Sequence, residues 1–329
     1  MAAASSALPP ATSIFRYVEQ HHNITTITLD SLEAALSVIN GGRPVVLRGL
    51  LGTKTGSWLS DATLDGDEQV RLDITPLHET AAPVKLPNMT QIRPAERFMT
   101  LKEAAATLRR SPINRGFHAY SQQIPLSGKP ALTKALPLSK ALYLSSKVSQ
   151  LVSVNFWLGD GGLRSALHYD PQDNLLVQLR GAKTLLLLPP NVSEGFGLFA
   201  PYTERRYIFD EDGGVASGTH PSGEDHPIEN HATVNVFANA GDDAAEPDEA
   251  LRSAIRSHAH IARLREGEAL FLPALWSHAV QSHAMCSSSA DNNAAAPSEQ
   301  QPQALNAAVN LWFLPPALES FKSALQARP

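Results

Sequence analysis

The chain has 329 residues, of which 43% are hydrophobic, so it can bury a substantial core and is not a disordered protein. Its net charge of −5 offers no basic surface for gripping phosphate backbones, which disfavours general nucleic-acid binding but leaves one specific RNA target open. Cys286 is the single cysteine, so an intrachain disulfide and a thiolate zinc site are both excluded.

The sequence also bears on where the protein works. No apolar run approaches the ~20 residues of a membrane-spanning helix, and residues 1–10 lack the charged and apolar regions of a signal peptide. We therefore expect an intracellular protein of the cytoplasm or the nucleus, without membrane association.

The first third of the chain, residues 1–114, predicts an α/β segment. Asp30 and Ser31 precede apolar residues at helical spacing, and Gly41 ends that helical pattern. Pro44–Leu47 predicts a short buried strand. Thr100 is a suitable N-cap for a second helix over Leu101–Arg110.

From residue 115 to residue 315 the pattern changes to short apolar runs between turn residues. The runs are Val152–Leu158, Leu175–Leu179, Thr184–Leu188, Ala269–Leu272 and Ala307–Phe313. Breaks such as Gly159–Gly162 and Pro189-Pro190 recur at the spacing typical of an antiparallel sandwich or jelly roll. The predicted fold is mainly β with flanking helices, and residues 1–329 form one domain.

Two segments interrupt this β core. Residues 210–248 are acidic and rich in Gly, Ala and Asn, and residues 287–303 are rich in Ser, Ala, Asn and Gln. Both compositions indicate mobile surface insertions that carry no core chemistry. After Pro316, the residues Leu318, Phe321 and Leu325 share one face of a predicted C-terminal helix over 316–329, which suits docking on the core or on a second subunit in a homodimer.

A pair of metal-binding side chains follows the glycine-rich turn. His168 and Asp170 are two residues apart, so in an extended chain they point to the same face and can bind one ion together. A non-haem Fe(II) oxygenase needs one further His and leaves one face of the octahedron open. His278 is the best candidate because a jelly roll brings the end of the strand Ala269–Leu272 beside an earlier strand.

Other histidines are alternatives. His283 becomes the third ligand if the register shifts by five residues. His258 and His260 form a possible chelating pair, but the surface or a strand is the simpler place for them. The remaining candidates, His220, His226 and His231, belong to the acidic insertion, and we expect them to titrate in solvent.

Two blocks of sequence carry a family resemblance. The first runs from Asn155 to Pro190 and contains Asn155-Phe156-Trp157-Leu158-Gly159, His168-Tyr169-Asp170-Pro171-Gln172-Asp173-Asn174 and Gln178-Leu179-Arg180-Gly181-Ala182-Lys183. The second runs from Gly267 to His278. Both are similar to the JmjC family of cupin-like Fe(II)- and 2-oxoglutarate-dependent oxygenases, in particular the factor-inhibiting-HIF type of protein hydroxylase. The resemblance covers residues 116–315 apart from the insertions, and implies a double-stranded β-helix of the cupin type.

The resemblance also implies roles for individual residues. His168, Asp170 and His278 would hold iron. Lys183 would meet the far carboxylate of the co-substrate 2-oxoglutarate, and a buried ammonium suits that partner. Hydroxyl groups of Tyr120 and Ser165 would add hydrogen bonds to this carboxylate. The amides of Asn174 and Asn310 would lie near the metal-bound end. Trp157 and Trp276 are expected to pack rather than to bind substrate.

These roles imply a dioxygenase that uses O2 and 2-oxoglutarate to hydroxylate a protein side chain and releases succinate and carbon dioxide. Within the same fold, a lysine demethylase or an RNA hydroxylase is an alternative. A catalytically silent binding scaffold, a cupin isomerase and a zinc hydrolase are rivals from other classes, and none of them requires Lys183.

Overall fold

The computed structural model describes most of the predicted β core and part of the N-terminal segment. The described residues are 15, 18, 24, 26–28, 36–37, 39, 42–52, 59–76, 90–93, 95–110, 117–196, 198–199, 202–209, 215–218, 227–228, 230–232, 234–237, 248–283 and 305–315. The predicted insertion 287–303 and the predicted C-terminal helix 316–329 lie outside them. Of the helix predicted after Asp30, the residues Leu36, Ser37 and Ile39 are described, and all three are helical.

Strands dominate this part of the chain. In chain order they are β1 Thr26–Thr28, β2 Val45–Arg48, β3 Gln69–Pro76, β4 Thr90–Arg93, β5 Ala95–Thr100, β6 Phe117–Pro125, β7 Leu151–Asp160, β8 Arg164–His168, β9 Asp173–Arg180, β10 Ala182–Leu188, β11 Tyr202–Phe209, β12 Val215–Gly218, β13 Pro227–Ile228, β14 His260–Leu264, β15 Ala269–Leu272, β16 Ser277–His283 and β17 Leu305–Phe313. The helices are α1 Leu101–Arg109, α2 Pro130–Ala135, α3 Ser139–Val148, α4 Pro190–Gly195 and α5 Glu249–His258, with a 3-10 turn at Asp61–Leu64.

Two sheets form the body of the fold. A nine-stranded sheet has the order β1-β2-β15-β9-β17-β7-β6-β3-β5, and a four-stranded sheet has the order β14-β10-β16-β8. Apart from the β1–β2 pair, the described pairings in both sheets are antiparallel. This arrangement confirms the prediction of a mainly β, jelly-roll fold. A third, smaller sheet joins β12, β11 and β13, with β4 beside β11.

The apolar residues between the two sheets form one core cluster. Leu185 and Leu187 of β10 pack there against Leu270 and Leu272 of β15. Alternate residues of the same strands point to the opposite faces. Thus Leu186 and Leu188 belong to a second cluster with α5, and Phe271 belongs to a third with helices α1 to α3.

The last strand, β17, does not alternate strictly between polar and apolar residues. Every residue of β17 is buried because both faces of its sheet are covered. Val309 and Leu311 lie in the cluster that faces the helices. Asn306 and Asn310 alternate with them and are buried on the other face, which lies between the sheets.

The predicted helix at Thr100 is confirmed, with one residue fewer at its end. Thr100 accepts a hydrogen bond from the backbone N–H of Glu103, whose carboxylate accepts one from the Thr100 backbone in return. This capping box fixes where α1 begins. None of the helices in the described part of the chain is long and apolar enough to span a membrane.

Candidate metal centre

The three predicted ligands lie together in the structure. One ligand atom from each of His168, Asp170 and His278 falls within a group whose members are all within 4.8 Å of one another. The Nε2 atom of His278 lies 3.4 Å from Oδ2 of Asp170. This spacing fits side chains that converge on one ion rather than pair with each other.

Strand register brings the two histidines side by side. His278 of β16 is the direct partner of His168 of β8, and their ring centroids are 4.1 Å apart. A bulge then shifts the register, so that Val280 pairs with Ser165. The extra residue in β8 allows Ser165 and His168, three positions apart, to face the same side of the sheet.

The two imidazoles are held in the same tautomer by the same local contact. The Nδ1 atom of His168 lies 2.7 Å from the carbonyl oxygen of Ala166, and Nδ1 of His278 lies 3.1 Å from that of Trp276. A carbonyl oxygen only accepts, so each Nδ1 carries a hydrogen, and in a neutral ring the Nε2 atom then keeps its lone pair. This is the second contact that a metal-bound histidine normally makes. The donor set therefore fits a divalent metal ion.

The protonation state of His278 agrees with this orientation. Burial, together with the neighbouring His168 ring, lowers the pKa of His278 to about 4, although Asp170 opposes the shift. The ring is therefore neutral at physiological pH, which is the form that binds metals.

The turn before His278 is hydrogen-bonded to the loop between β8 and β9, which carries Asp170. The backbone N–H of Leu275 donates to the carbonyl oxygen of Asp170 at 2.8 Å, and that of Ala274 donates to the carboxylate of Asp173 at 2.8 Å. Leu275 has a φ of 67°, which is rare for a side chain other than glycine. This strained backbone conformation occurs where the segment before His278 meets the loop that carries Asp170.

Lys183 is buried on β10, the strand that pairs with β16 and its ligand His278, but it lies further along the strands than the three ligands. Its side chain is 4% exposed, and Nζ donates a 2.8 Å hydrogen bond to Oγ of Ser282. No described carboxylate forms an ion pair with it, and burial alone lowers the pKa of Lys183 to about 7. A buried amine with a hydroxyl partner suits an anionic ligand, because the ligand would restore the charge.

A chain of contacts leads from Lys183 to Asn310. The Nζ atom lies 5.9 Å from the centre of the Tyr120 ring, which lies 5.6 Å from a ring of Trp157. The indole Nε1 of Trp157 then donates to Oδ1 of Asn310 at 2.9 Å. Burial raises the pKa of Tyr120, so the phenol keeps its proton as a hydrogen-bond donor. Trp157 thus positions two of the predicted co-substrate residues as well as packing.

The other two predicted contact residues lie in consecutive strands of the chain, β8 and β9, which belong to different sheets. Ser165 is opposite Val280, between the register positions of His278 and Ser282. Asn174 is 5% exposed in β9, and its Oδ1 atom has no hydrogen-bond partner among the described residues. An unsatisfied buried amide oxygen is costly in a folded protein, and a ligand or water would relieve that cost.

One histidine contradicts the sequence-based expectation. His231, predicted to titrate in solvent within the acidic insertion, is partly buried and stacks on His168 with ring centroids 4.9 Å apart. Its neighbours Ala232, Val236 and Phe237 belong to the core cluster that includes Leu167. The prediction that the whole segment 210–248 is peripheral was therefore wrong for residues 230–232 and 234–237. The apolar pair Val236-Phe237 was the available signal.

The remaining histidines stand where the simpler hypothesis placed them. His258 and His260 are exposed, at the end of α5 and the start of β14. His283 is opposite Ala182, and its Nε2 lies 2.9 Å from Oγ1 of Thr184, so it does not join the ligand group. His220 and His226 lie outside the described residues. This geometry places His278, and not His283, beside His168 and Asp170.

Comparison with known proteins agrees with the fold. A family model described as a cupin-like domain matches residues 32–318. The chain belongs to the cupin-like domain family. The match includes all three residues of the candidate metal centre as well as Lys183, and it confirms the resemblance inferred from the sequence.

Three curated relatives of this cupin-like chain show the range of the family. The human bifunctional peptidase and (3S)-lysyl hydroxylase JMJD7 is 32% identical over 134 residues, 41% of this chain and 39% of the relative. The lysine-specific demethylase JMJ31 of Arabidopsis thaliana is 27% identical over 132 residues, 40% of this chain and 19% of the relative. The tRNA wybutosine-synthesizing protein 4 of Neurospora crassa is 26% identical over 269 residues, 78% of this chain and 19% of the relative. The matches thus span well under half of each relative.

Proposed function

We propose that this cupin-like protein is an Fe(II)- and 2-oxoglutarate-dependent oxygenase that hydroxylates a side chain of a protein substrate and releases succinate and carbon dioxide. Two imidazoles and one carboxylate leave coordination positions free for ligands, as in the non-haem Fe(II) oxygenases. When bound, the iron supplies the activation of O2 and of the co-substrate.

The observation that carries the proposal is the burial of Lys183. Desolvating an amine is unfavourable unless a partner compensates, and among the described residues the hydrogen-bond partner of Nζ of Lys183 is the uncharged hydroxyl of Ser282. A metal ion alone gives no reason for this residue. A dicarboxylate that binds the metal at one end and Lys183 at the other explains both features, whereas a zinc hydrolase or a cupin isomerase explains the metal centre only.

The protein side chains hold and orient rather than transfer protons. His168, Asp170 and His278 fix the metal ion, and Lys183 fixes the co-substrate. Tyr120 offers a protonated hydroxyl beside Lys183, and the amide of Asn174 offers an unsatisfied oxygen. The apolar residues between the sheets exclude water from this volume.

A protein is the favoured substrate because two relatives carry names that refer to lysine, one as a lysyl hydroxylase and one as a lysine-specific demethylase. RNA is the second candidate, because the Neurospora crassa relative, named for tRNA wybutosine synthesis, aligns with 78% of this chain. The net charge of −5 favours the protein, since a protein that grips RNA non-specifically gains affinity from basic side chains.

The first test is turnover without an added substrate. The purified chain is incubated with Fe(II), ascorbate and 2-oxoglutarate, and succinate is measured for the wild type and for His168→Ala, Lys183→Ala and His258→Ala. We expect iron-dependent succinate formation that is lost in the first two variants. His258 is exposed and lies outside the ligand group, so its variant serves as the matched control and should retain turnover.

The same measurement can also contradict the oxygenase proposal. If the metal-loaded wild type neither binds nor consumes 2-oxoglutarate, the oxygenase proposal fails and the binding scaffold or another cupin activity replaces it. The substrate class is decided next, by capture on the His168→Ala variant. A peptide that gains 16 Da with wild-type protein supports protein hydroxylation, and the same gain on a nucleoside transfers the proposal to RNA.

A further inference from the structure

Three histidine rings stand in a row across the edge of the four-stranded sheet. His278 of β16 lies on one side of His168, with ring centroids 4.1 Å apart and planes at 50°. His231 lies on the other side, with ring centroids 4.9 Å apart and planes at 10°, which is a stacked arrangement. The central ring of this row is a proposed metal ligand.

Backbone pairing places His231 there. β8 is the last strand of its sheet, and residues 230–232 pair with it antiparallel at His168 and His231. The N–H of Tyr169 donates to the carbonyl of Asn230 at 3.0 Å, and the N–H of Ala232 donates to that of Leu167 at 2.8 Å. These bonds flank the two histidines rather than join them. This is the closely spaced type of antiparallel pair, in which opposite side chains come into contact.

The position of the stacked ring is itself supported. Nδ1 of His231 lies 3.0 Å from Oδ1 of Asn230, and Nδ2 of Asn230 donates to the carbonyl oxygen of Tyr169 at 3.0 Å. The side chain of Asn230 therefore connects the His231 ring to the backbone between His168 and Asp170. His231 is not in the group of mutually close ligand atoms, so its place beside the metal centre needs another explanation.

We infer that His231 is a positioning residue, whose ring holds the plane of His168 so that Nε2 faces the metal. The inference rests on the proposed ligand role of His168. The second torsion of a histidine side chain has broad wells, so a single contact at Nδ1 leaves the ring free to tilt. The contact with Ala166 fixes one edge of the His168 ring, and the stacked His231 ring fixes its face.

Metal affinity tests this inference without relying on turnover. Co(II), a probe for Fe(II), is titrated at fixed pH into wild type, His231→Ala, His231→Phe and His258→Ala, with its visible absorption bands recorded. A stacked ring pair is worth enough to shift a binding constant by about 3- to 10-fold. We expect His231→Ala to weaken Co(II) binding by this factor and to alter the bands. His231→Phe keeps a flat ring and should remain within about two-fold of wild type.

Each outcome distinguishes this inference from the proposed function. If the wild type does not bind Co(II), the metal centre fails and the inference fails with it. If the wild type binds but His231→Ala binds equally well with unchanged bands, only the inference is overturned. Equal weakening in the alanine and phenylalanine variants also overturns it, because the ring nitrogens would then matter rather than the stack.

Two controls separate a specific effect of His231 on Co(II) binding from a general loss of structure. His258→Ala removes an exposed histidine and should leave the titration unchanged. Circular dichroism without metal shows whether each variant folds. If His231→Ala does not fold, His231→Leu replaces it, since leucine fills the space without a flat ring and should weaken Co(II) binding in the same way.

Discussion

Lys183 and Ser282 face each other across β10 and β16, joined by a 2.8 Å hydrogen bond, at a register position four residues along the strand from His278. An even spacing keeps Ser282 and His278 on the same face of β16, about 13 Å apart along the backbone. The amine and the metal centre thus face the same interior from one strand pair, with Val280 between their register positions.

Replacing Lys183 should remove co-substrate binding and spare metal binding. For Lys183→Met we expect the 2-oxoglutarate dissociation constant to rise about 30-fold or more, because a desolvated charge pair loses one partner. Co(II) affinity should stay within about two-fold, since no described contact joins Lys183 to the ligands. Calorimetric titration of both ligands checks this. Lys134→Met, at an exposed lysine, is the control, and an equal loss in it would contradict the assignment.

The lowered pKa of Lys183 predicts a pH dependence for co-substrate binding. Above a pKa of about 7 the free amine is neutral, and a bound carboxylate favours its protonated form, so binding takes up a proton. The apparent affinity should therefore fall by up to about 10-fold per pH unit above pH 7. Titrations in two buffers with different ionisation enthalpies measure the uptake directly. An affinity that is flat between pH 7 and 9 would refute the prediction.

Asp73 predicts a pH dependence of stability. Burial raises its pKa to about 6 in spite of the ion pair with Arg71 at 2.9 Å. Because this folded-state pKa lies above the unfolded value, the native state binds the proton more tightly. Protonation of Asp73 therefore contributes to the stability of the folded protein at low pH. This contribution is lost as the pH rises from about 4 through 6. Relative to Asp73→Asn, the wild type should lose about 2 kcal/mol of unfolding free energy between pH 4 and pH 7.5.

Urea denaturation of both proteins at the two pH values tests that expectation. The comparison with Asp73→Asn removes the contributions of the other titrating groups, which both proteins share. Parallel pH profiles would show that the carboxyl of Asp73 titrates normally in the folded protein.

Gly159 should be needed for the position of Tyr120. A Cβ atom at residue 159 would lie 2.7 Å from Cδ2 of Tyr120 and 2.6 Å from Cδ1 of Leu163. We expect Gly159→Ala to cost about 1–3 kcal/mol of stability and to weaken 2-oxoglutarate binding, because the ring must move. Thermal unfolding and calorimetry measure the two effects. Gly162→Ala, whose nearest neighbour would be 3.6 Å away, is the matched control and should change neither.

Much of the β core could be predicted because its strands are short apolar runs between turns. The run Ala269–Leu272 coincides with β15, and the other predicted strands differ from the observed ones by one or two residues at one or both ends. The closeness of His168 and Asp170 could be predicted because residues two apart in an extended chain point to the same side, although β8 itself ends at His168.

The helices inside the predicted β region were missed. Helix α5 carries a readable signal, since Asp248 caps it and Leu251 and Ile255 are buried four residues apart. The helical pattern was not recognised because it directly follows the segment that was assigned to the acidic insertion. His231 could not be predicted at all, because an isolated β-bridge between residues 63 positions apart depends on tertiary pairing and leaves no local periodicity.

The pairing of residues 230–232 with β8 also limits how a substrate can approach. An open sheet edge beside His168 would let an extended peptide add itself as a further strand. In this protein that edge is already occupied by the chain's own backbone at Asn230 and Ala232. For the proposed protein substrate, this pairing blocks strand addition at His168 and favours a protruding loop or terminus that inserts one side chain towards the metal centre.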